Sequence, residues 1–213
     1  FILNPNSQTG KGRLIWKKQL LPCLKASKSH WKAFYTRYPG HCTQIVSQLT
    51  STGSEPVTIV ILGGDGTLNE AVNGIKHFEN VTLGYIPTGS SNDFARGMKQ
   101  NSDPLETLHN ILQNKHELWL DYGVVQAPGK APQRFIVSSG IGFDAYVTDE
   151  ALTSPIKNAL NAIHMGKLTY ALIALKKLVT ISLQPVVLTI DDTYTLKLPR
   201  FYFASSHNLP YEG

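Results

Sequence analysis

The sequence predicts an α/β fold: a Rossmann-like layer over residues 1–120, followed by an antiparallel β-sandwich domain over residues 121–213. Three observations predict it. Short β-rich runs alternate with helical periodicity through the first half, the pattern of βαβ units that build a parallel sheet. Glycine-rich turns fall where those runs end, the edge at which open α/β sheets present their loops. After Asp121 the texture changes to period-2 alternation and tight-turn residues, which reads as antiparallel strands.

Taken in order, Phe1–Leu3 reads as a first strand and Gly12–Leu24 as its helix. Ala33–Thr36 and His41–Leu49 form the second such pair, and Thr58–Leu62 and Thr67–Ile75 the third. Val81–Ile86 and Leu105–Asn114 complete the layer. The third helix carries the sharpest local signal, because Leu68, Ala71, Val72 and Ile75 form an apolar face and Thr67 and Glu70 are spaced as a T-x-x-E capping box. In the second domain, "YGVVQAPGKAPQRFIVSSGIGFDAYV" contains two β-rich runs joined by a Pro/Gly loop, and "VVLTIDDTYTLKLPRFYFASS" reads as a hairpin turning on Asp191-Asp192. Ser154–Val179 between them is helical in pattern, with Gly166 dividing it into two short helices. Phe1 reads as the start of a strand already under way, and "NLPYEG" stops without a terminal element, so the sequence is expected to belong to a longer chain.

Composition narrows the function classes. With 42% hydrophobic and 16% charged residues among 213, the chain is ordinary globular protein, which excludes disordered, collagenous and repeat classes. A formal net charge of +5 favours anionic partners. Two cysteines, Cys23 and Cys42, cannot build a disulfide framework and point to a reducing, cytoplasmic setting. The apolar run Val57–Leu62 is far short of the about 20 residues that cross a bilayer. His41, His77, His109, His164 and His207 show no metal-ligand spacing.

The chemistry concentrates in three turns. "IVILGGDGTLNEAVNGI" delivers Gly63, Gly64, Asp65 and Gly66 at a strand end, where glycines let backbone approach a phosphate and the following helix dipole favours negative charge. Asp65 beside a phosphate is repulsive unless a divalent cation or a substrate proton stands between them, so the turn predicts Mg²⁺ handling or proton abstraction from a hydroxyl. "IPTGSSNDFARG" is a second turn of this kind, in which Ser90 and Ser91 supply hydroxyls and Asn92-Asp93 open a short helix suited to end at Gly97. "FILNPNSQTGKGR" is the third, with Asn4, Ser7, Gln8 and Thr9 between strand and helix. The dinucleotide fingerprint fails at Asn69 and the P-loop pattern fails at Pro5 and Gly12, which disfavours hydride transfer and P-loop chemistry.

Together, "NPNSQTGKG", "GGDGTLNEAVNGI" and "PTGSSNDFARG" resemble the catalytic domain of the diacylglycerol kinase family, nearest its bacterial soluble lipid kinases. "LDYGVV", "SSGIGFDAYV" and "GKLTYALIALKKL" extend the resemblance through most of the chain, and the segment ending in NDFAR separates lipid kinases from the NAD kinases and phosphofructokinases that share GGDGT. The resemblance implies a nucleotide-binding first domain and a lipid-substrate second domain, with ATP in the cleft. It implies nucleotide contacts from Asn4, Pro5, Asn6, Ser7, Gln8, Thr36, Gly64, Asp65, Gly66, Thr67, Leu68, Asn69, Glu70 and Ser90. It implies an aspartate–water–Mg²⁺ network of Asp65, Asp93 and Asp121, with a diacylglycerol-type lipid as acceptor. Gln8 stands where the family usually has glycine, and Ser90 where threonine is more usual. The family's acidic base lies in a segment beyond "LPYEG", so Asp65 is the candidate base within this sequence.

A helix over Lys167–Thr180, with Leu168, Ala171, Leu172 and Leu175 on one face and Lys176-Lys177 at its end, fits either transient contact with a membrane surface or core packing. Asp144 fits either a lipid pocket or a turn. A homodimer is compatible with this reading, and no nucleic-acid partner is expected. The rival expectations are a kinase of a soluble substrate such as NAD, and a non-catalytic nucleotide-binding module. The first is disfavoured because Asn69-Glu70 lie inside the turn's own helix.

Overall fold

The computed structural model describes residues 1–27, 29–115, 117–143, 145–147, 149 and 182–210. The chain forms two compact units, Phe1–Ser138 with His207–Gly213, and Ser139–Ser206.

The first unit is built on a parallel sheet of β1 (Ile2–Leu3), β2 (Phe34–Tyr35), β3 (Val57–Gly63) and β4 (Val81–Pro87), in the order β2-β1-β3-β4. Parallel strands need crossovers, and helices supply them: α1 (Lys11–Ile15) and α2 (Leu21–Ala26) after β1, α3 (His41–Leu49) after β2, and α4 (Asp65–Gly74) after β3. Two further helices, α5 (Asp93–Gly97) and α6 (Pro104–Leu112), follow β4.

Central strand β3 shows why this half of the sequence reads so clearly. Its side chains alternate between two buried layers: Ile59 and Ile61 pack with Ile45, Val46, Leu68 and Val72 of α3 and α4, while Val60 and Leu62 pack with Trp16, Leu20, Leu24 and Leu108 on the opposite face. A strand covered on both faces is apolar throughout, so it appears as the unbroken run Ile59–Leu62. Each such side chain contributes about 1.5–3 kcal/mol by leaving water.

The first expected helix is present but not regular. A π-helical turn, Trp16–Leu20, separates α1 from α2, just before Pro22. Proline has no N–H to donate to the preceding turn and its ring crowds the carbonyl four residues back, so the helix widens there. The turn keeps Trp16 buried, with its indole N–H donating to Tyr35 Oη at 3.0 Å and its ring against Phe1 and Trp31.

Beyond the sheet, β5 (Gly123–Val125) and β6 (Gln133–Phe135) pair antiparallel across the Pro/Gly loop, as the sequence pattern predicts. The second unit contains the antiparallel ribbon β8 (Gln184–Ile190) and β9 (Tyr194–Phe201), and β7 (Ser138–Gly142) pairs with β10 (Phe203–His207). Asp191 and Asp192 turn the ribbon with φ of 50° and 52°, and Thr193 N–H donates to Ile190 O at 3.1 Å, the backbone form a right-twisted hairpin needs. Asp144, the Ser154–Val179 helical pattern and its Lys167–Thr180 portion lie outside the described residues. Among the described residues no helix is long and apolar enough to cross a membrane.

Candidate functional site

All four parallel strands end at one edge, and their loops converge there: Asn4–Gly10 after β1, Thr36–Gly40 after β2, Gly64–Asp65 after β3 and Thr88–Asn92 after β4. β1 and β3 are neighbours whose following helices pack on opposite faces of the sheet, the switch point at which open α/β sheets place a ligand crevice. Asn4 spans it. Its N–H donates to Leu62 O at 2.8 Å, its Nδ2 to Thr67 Oγ1 at 3.2 Å, and its Oδ1 accepts the Asn6 N–H at 3.1 Å.

The first loop has a fixed root and a constrained tip. At the root, Ser7 is buried and its hydroxyl pairs with Thr88 Oγ1 at 2.8 Å, tying the first loop to the fourth. Gly12 lies against both, and a Cβ there would overlap Ser7 Oγ. At the tip, Gln8, Thr9 and Gly10 all take left-handed backbone, with φ of 45°, 54° and 95°. Gln8 and Thr9 are exposed there, and Pro5 and Asn6 lie alongside. Glycine is the residue suited to such a conformation, so Gln8 and Thr9 hold it at a backbone cost.

The second loop contributes buried Thr36, whose N–H donates to Leu3 O at 2.8 Å. The third and fourth loops are locked together. Gly64 and Gly89 meet backbone to backbone, leaving no room for a Cβ on Gly89. Across that contact the Asp65 carboxylate accepts two amide protons, from Asp93 N–H at 3.0 Å on Oδ2 and Phe94 N–H at 3.1 Å on Oδ1. Asp65 thereby caps α5 from another element. Asn92, itself left-handed at φ 53°, accepts the Gly89 N–H and donates to Gly89 O, both at 2.9 Å, which closes the fourth loop. Asp93 opens α5 and pairs with Arg96 at 3.1 Å. Ser90 is exposed at the turn.

Helix α4 corrects one expectation. The helix begins at Asp65, two residues before Thr67, and Thr67 and Glu70 do not form a capping box. Thr67 Oγ1 accepts from Asn4, and Glu70 Oε2 accepts the Cys42 N–H at 3.2 Å, at the start of α3. Both side chains have long-range partners, which local spacing does not reveal. Leu68 is buried in the core with its N–H bonded to Gly64 O, while Gly66 is open to solvent and Asn69 is half-buried.

Two buried groups feel these carboxylates. Burial first, and then Asp65 and Asp93, push the Tyr85 phenol far above its ordinary range, so it stays a neutral hydroxyl beside the acid pair, 3.4 Å from Asn92 Oδ1. Burial, with Glu70 adding to it, pushes the Cys42 thiol up to about 12. Sequence reasoning singled out neither Tyr85 nor Thr88, whose partners lie in other loops.

Asp121 precedes β5 and is exposed, and its carbonyl accepts from Asn208 Nδ2 at 2.7 Å. Among the described residues, no three His, Cys, Asp or Glu side chains come together to hold a metal directly. Asp65 and Asp93 nonetheless stand side by side, with the Asp93 N–H on the Asp65 carboxylate. That chemistry fits Mg²⁺ held through waters, since this ion gives up its hydration reluctantly.

A doubly wound parallel sheet, loops converging at the carboxyl edge and an aspartate held in a glycine turn define an α/β fold with a phosphate-type crevice. The chain belongs to the diacylglycerol kinase catalytic domain family, whose model matches residues 1–123. It is 29% identical to the provisionally named lipid kinase YtlR of Bacillus subtilis, over all of this chain and 69% of that protein. It is 39% identical to a diacylglycerol kinase of Bacillus subtilis over 46% of this chain and 31% of that enzyme. A solved structure from Bacillus anthracis strain Sterne, described as a diacylglycerol kinase, aligns with a TM-score of 0.60 and 24% identity. That alignment takes in 99% of this chain and 63% of that one, and it bears on fold alone. The chain therefore spans about two thirds of YtlR and of the Bacillus anthracis structure, and about a third of the Bacillus subtilis diacylglycerol kinase.

Proposed function

We propose that this chain carries the nucleotide side of an ATP- and Mg²⁺-dependent lipid kinase, which transfers the γ-phosphoryl group to the free hydroxyl of a diacylglycerol-type lipid. The observation that carries the reading is the Asp65 carboxylate, locked across the Gly64–Gly89 contact at the head of two helices. Phosphoryl transfer asks the protein for positioning and charge neutralisation, and a turn this constrained loses little order on binding substrate.

In this reading the nucleotide domain extends past the expected boundary at residue 120 to take in the β5–β6 hairpin of the first compact unit, and the lipid side lies in the residues that follow. Asn4, Pro5, Asn6, Ser7, Gln8, Thr36, Gly64, Gly66, Asn69 and Ser90 border the nucleotide. Thr67, Leu68 and Glu70 act behind it, through Asn4, the core and α3. Asp65, Asp93 and Asp121 orient waters around Mg²⁺, which when bound neutralises phosphate oxygens. Asp65 is assigned to that water network in preference to proton abstraction, because both its oxygens already accept amide protons.

The test supplies full-length protein with labelled ATP, Mg²⁺ and diacylglycerol micelles, and expects labelled phosphatidic acid that disappears when Mg²⁺ is chelated. Label transferred to NAD instead would establish the soluble-substrate reading. Nucleotide binding with no transfer to any acceptor would leave a regulatory module.

A further inference from the structure

Arg134 lies beyond the residues that the family model matches, yet it is among the most heavily engaged side chains of the first unit. Its Nη1 donates to Val72 O and Ile75 O, both at 3.1 Å, which are carbonyls left over at the carboxyl end of α4. A guanidinium there also complements the negative end of the helix dipole. Its plane lies over Phe78, 4.7 Å from the ring centroid, and near Tyr122 at 5.6 Å, and these two rings stack on each other at 5.0 Å. The backbone is held as well: Arg134 N–H donates to Asn73 Oδ1 at 2.8 Å and its carbonyl accepts from Asn73 Nδ2 at 2.9 Å.

These contacts act on the segment that carries Asp121. Tyr122 follows it directly, and Gly123 of β5 pairs with Phe135 of β6, next to Arg134. The backbone at Asp121 is thus held from two sides, by Tyr122 under the Arg134 guanidinium and by Asn208 on the Asp121 carbonyl, while its carboxylate is exposed. Helix α4 then serves as a ruler, with Asp65 at its amino end and the Arg134 clamp at its carboxyl end. We propose that Arg134 is a positioning residue: by clamping the β5–β6 hairpin to α4, it sets where the Asp121 carboxylate stands relative to Asp65 and Asp93. This rests on the kinase reading above, in which those three carboxylates orient the waters around Mg²⁺.

The experiment compares full-length wild type with Arg134→Ala, Arg134→Lys and the exposed control Gln133→Ala. Amide hydrogen exchange reads the hairpin directly, and the Mg²⁺ concentration giving half-maximal transfer at saturating ATP reads the function. Arg134→Ala is expected to speed exchange at Tyr122–Val125 by about tenfold, with α3 unchanged. It is expected to raise the half-activating Mg²⁺ concentration by about tenfold, with KM for ATP within about twofold of wild type. Arg134→Lys keeps the charge without the fork and should recover part of both losses, while Gln133→Ala changes neither. Unchanged exchange overturns the clamp. Faster exchange with unchanged Mg²⁺ dependence reduces Arg134 to a structural anchor and overturns the positioning role. Inactivity of the wild type toward every acceptor would instead sink the kinase reading, and the exchange result would still show whether the clamp exists.

Discussion

The first and third loops of the sheet edge face the same crevice, yet they are built on opposite principles. The Asn4–Gly10 loop is anchored at Ser7 and strained at its tip, where Gln8 and Thr9 hold left-handed backbone without glycine. The Gly64–Asp65 turn uses glycine where backbone must touch backbone, and its one carboxylate is bonded to the next loop twice. The contrast separates two ways of placing polar groups at a phosphate-type site. One loop holds its shape at a conformational cost, while the other is interlocked with its neighbour and preorganised.

Breaking the interlock gives the largest expected effect. Asp65→Ala removes the acceptor of two amide protons and the proposed water-orienting charge together. Transfer should fall by at least about a hundredfold, in line with losses of a preorganised charge-stabilising group. Because Asp65 also caps α5, the melt should show a stability loss of about 1–2 kcal/mol, which a site residue without structural duties would not. Asp65→Asn keeps one acceptor oxygen and should recover more of the stability than of the transfer. A variant that melts like wild type would break the comparison at its strongest point.

Next comes the glycine contact itself. Gly89→Ala drives a methyl group into Gly64 Cα, so the two turns must separate, at a cost of about 1–3 kcal/mol by denaturant unfolding. Gly66→Ala, on the same motif but with open space around it, is the internal control and should cost only a few tenths of that. Equal effects at the two positions would mean that the glycines serve flexibility and not close approach.

These residues also mark how far the sequence could be read. The sheet was legible because β3 is buried on both faces, so Ile59–Leu62 advertise themselves, and the three glycine turns were legible because glycine at strand ends has few other uses. The interlock was not legible. Nothing in local spacing says that Thr67 serves Asn4, that Glu70 serves Cys42, or that Asp65 caps a helix 28 residues on. The supposed capping box had the right residues with the wrong partners. Asn73 and Tyr122 lay inside quoted segments without being singled out, and Arg134 carried no signal, since their partnership forms only when the fold brings β6 against α4.

How far the interlock reaches behind the crevice is testable through pH. Glu70 joins α4 to the start of α3, and the adjacent Cys42 thiol is raised by burial and by Glu70 from 9.0 to about 12. A thiol raised in the folded state favours folding fully below its unfolded value and loses that advantage as pH climbs toward the folded one. Stability should therefore decline between pH 9 and 12, with Cys42 contributing up to about 1.4 kcal/mol per pH unit. Cys42→Ala should flatten that limb relative to wild type, whereas parallel limbs would show that the site exposes its thiol.

The smallest effect tests the strained side. Gln8 at φ 45° is exposed, and its contribution to stability is the backbone cost of a left-handed residue bearing a Cβ. Gln8→Gly removes that cost and also loosens the unfolded chain, two opposed terms that leave a net gain of at most about 1 kcal/mol. The expected result is a higher denaturant midpoint with an unchanged slope. ATP affinity should stay within about twofold if the loop is already set in its bound shape, since there is then nothing left to preorganise. A glycine variant that is less stable than wild type would mean that the Gln8 side chain makes a compensating contact, and the division between a strained loop and an interlocked one would no longer hold.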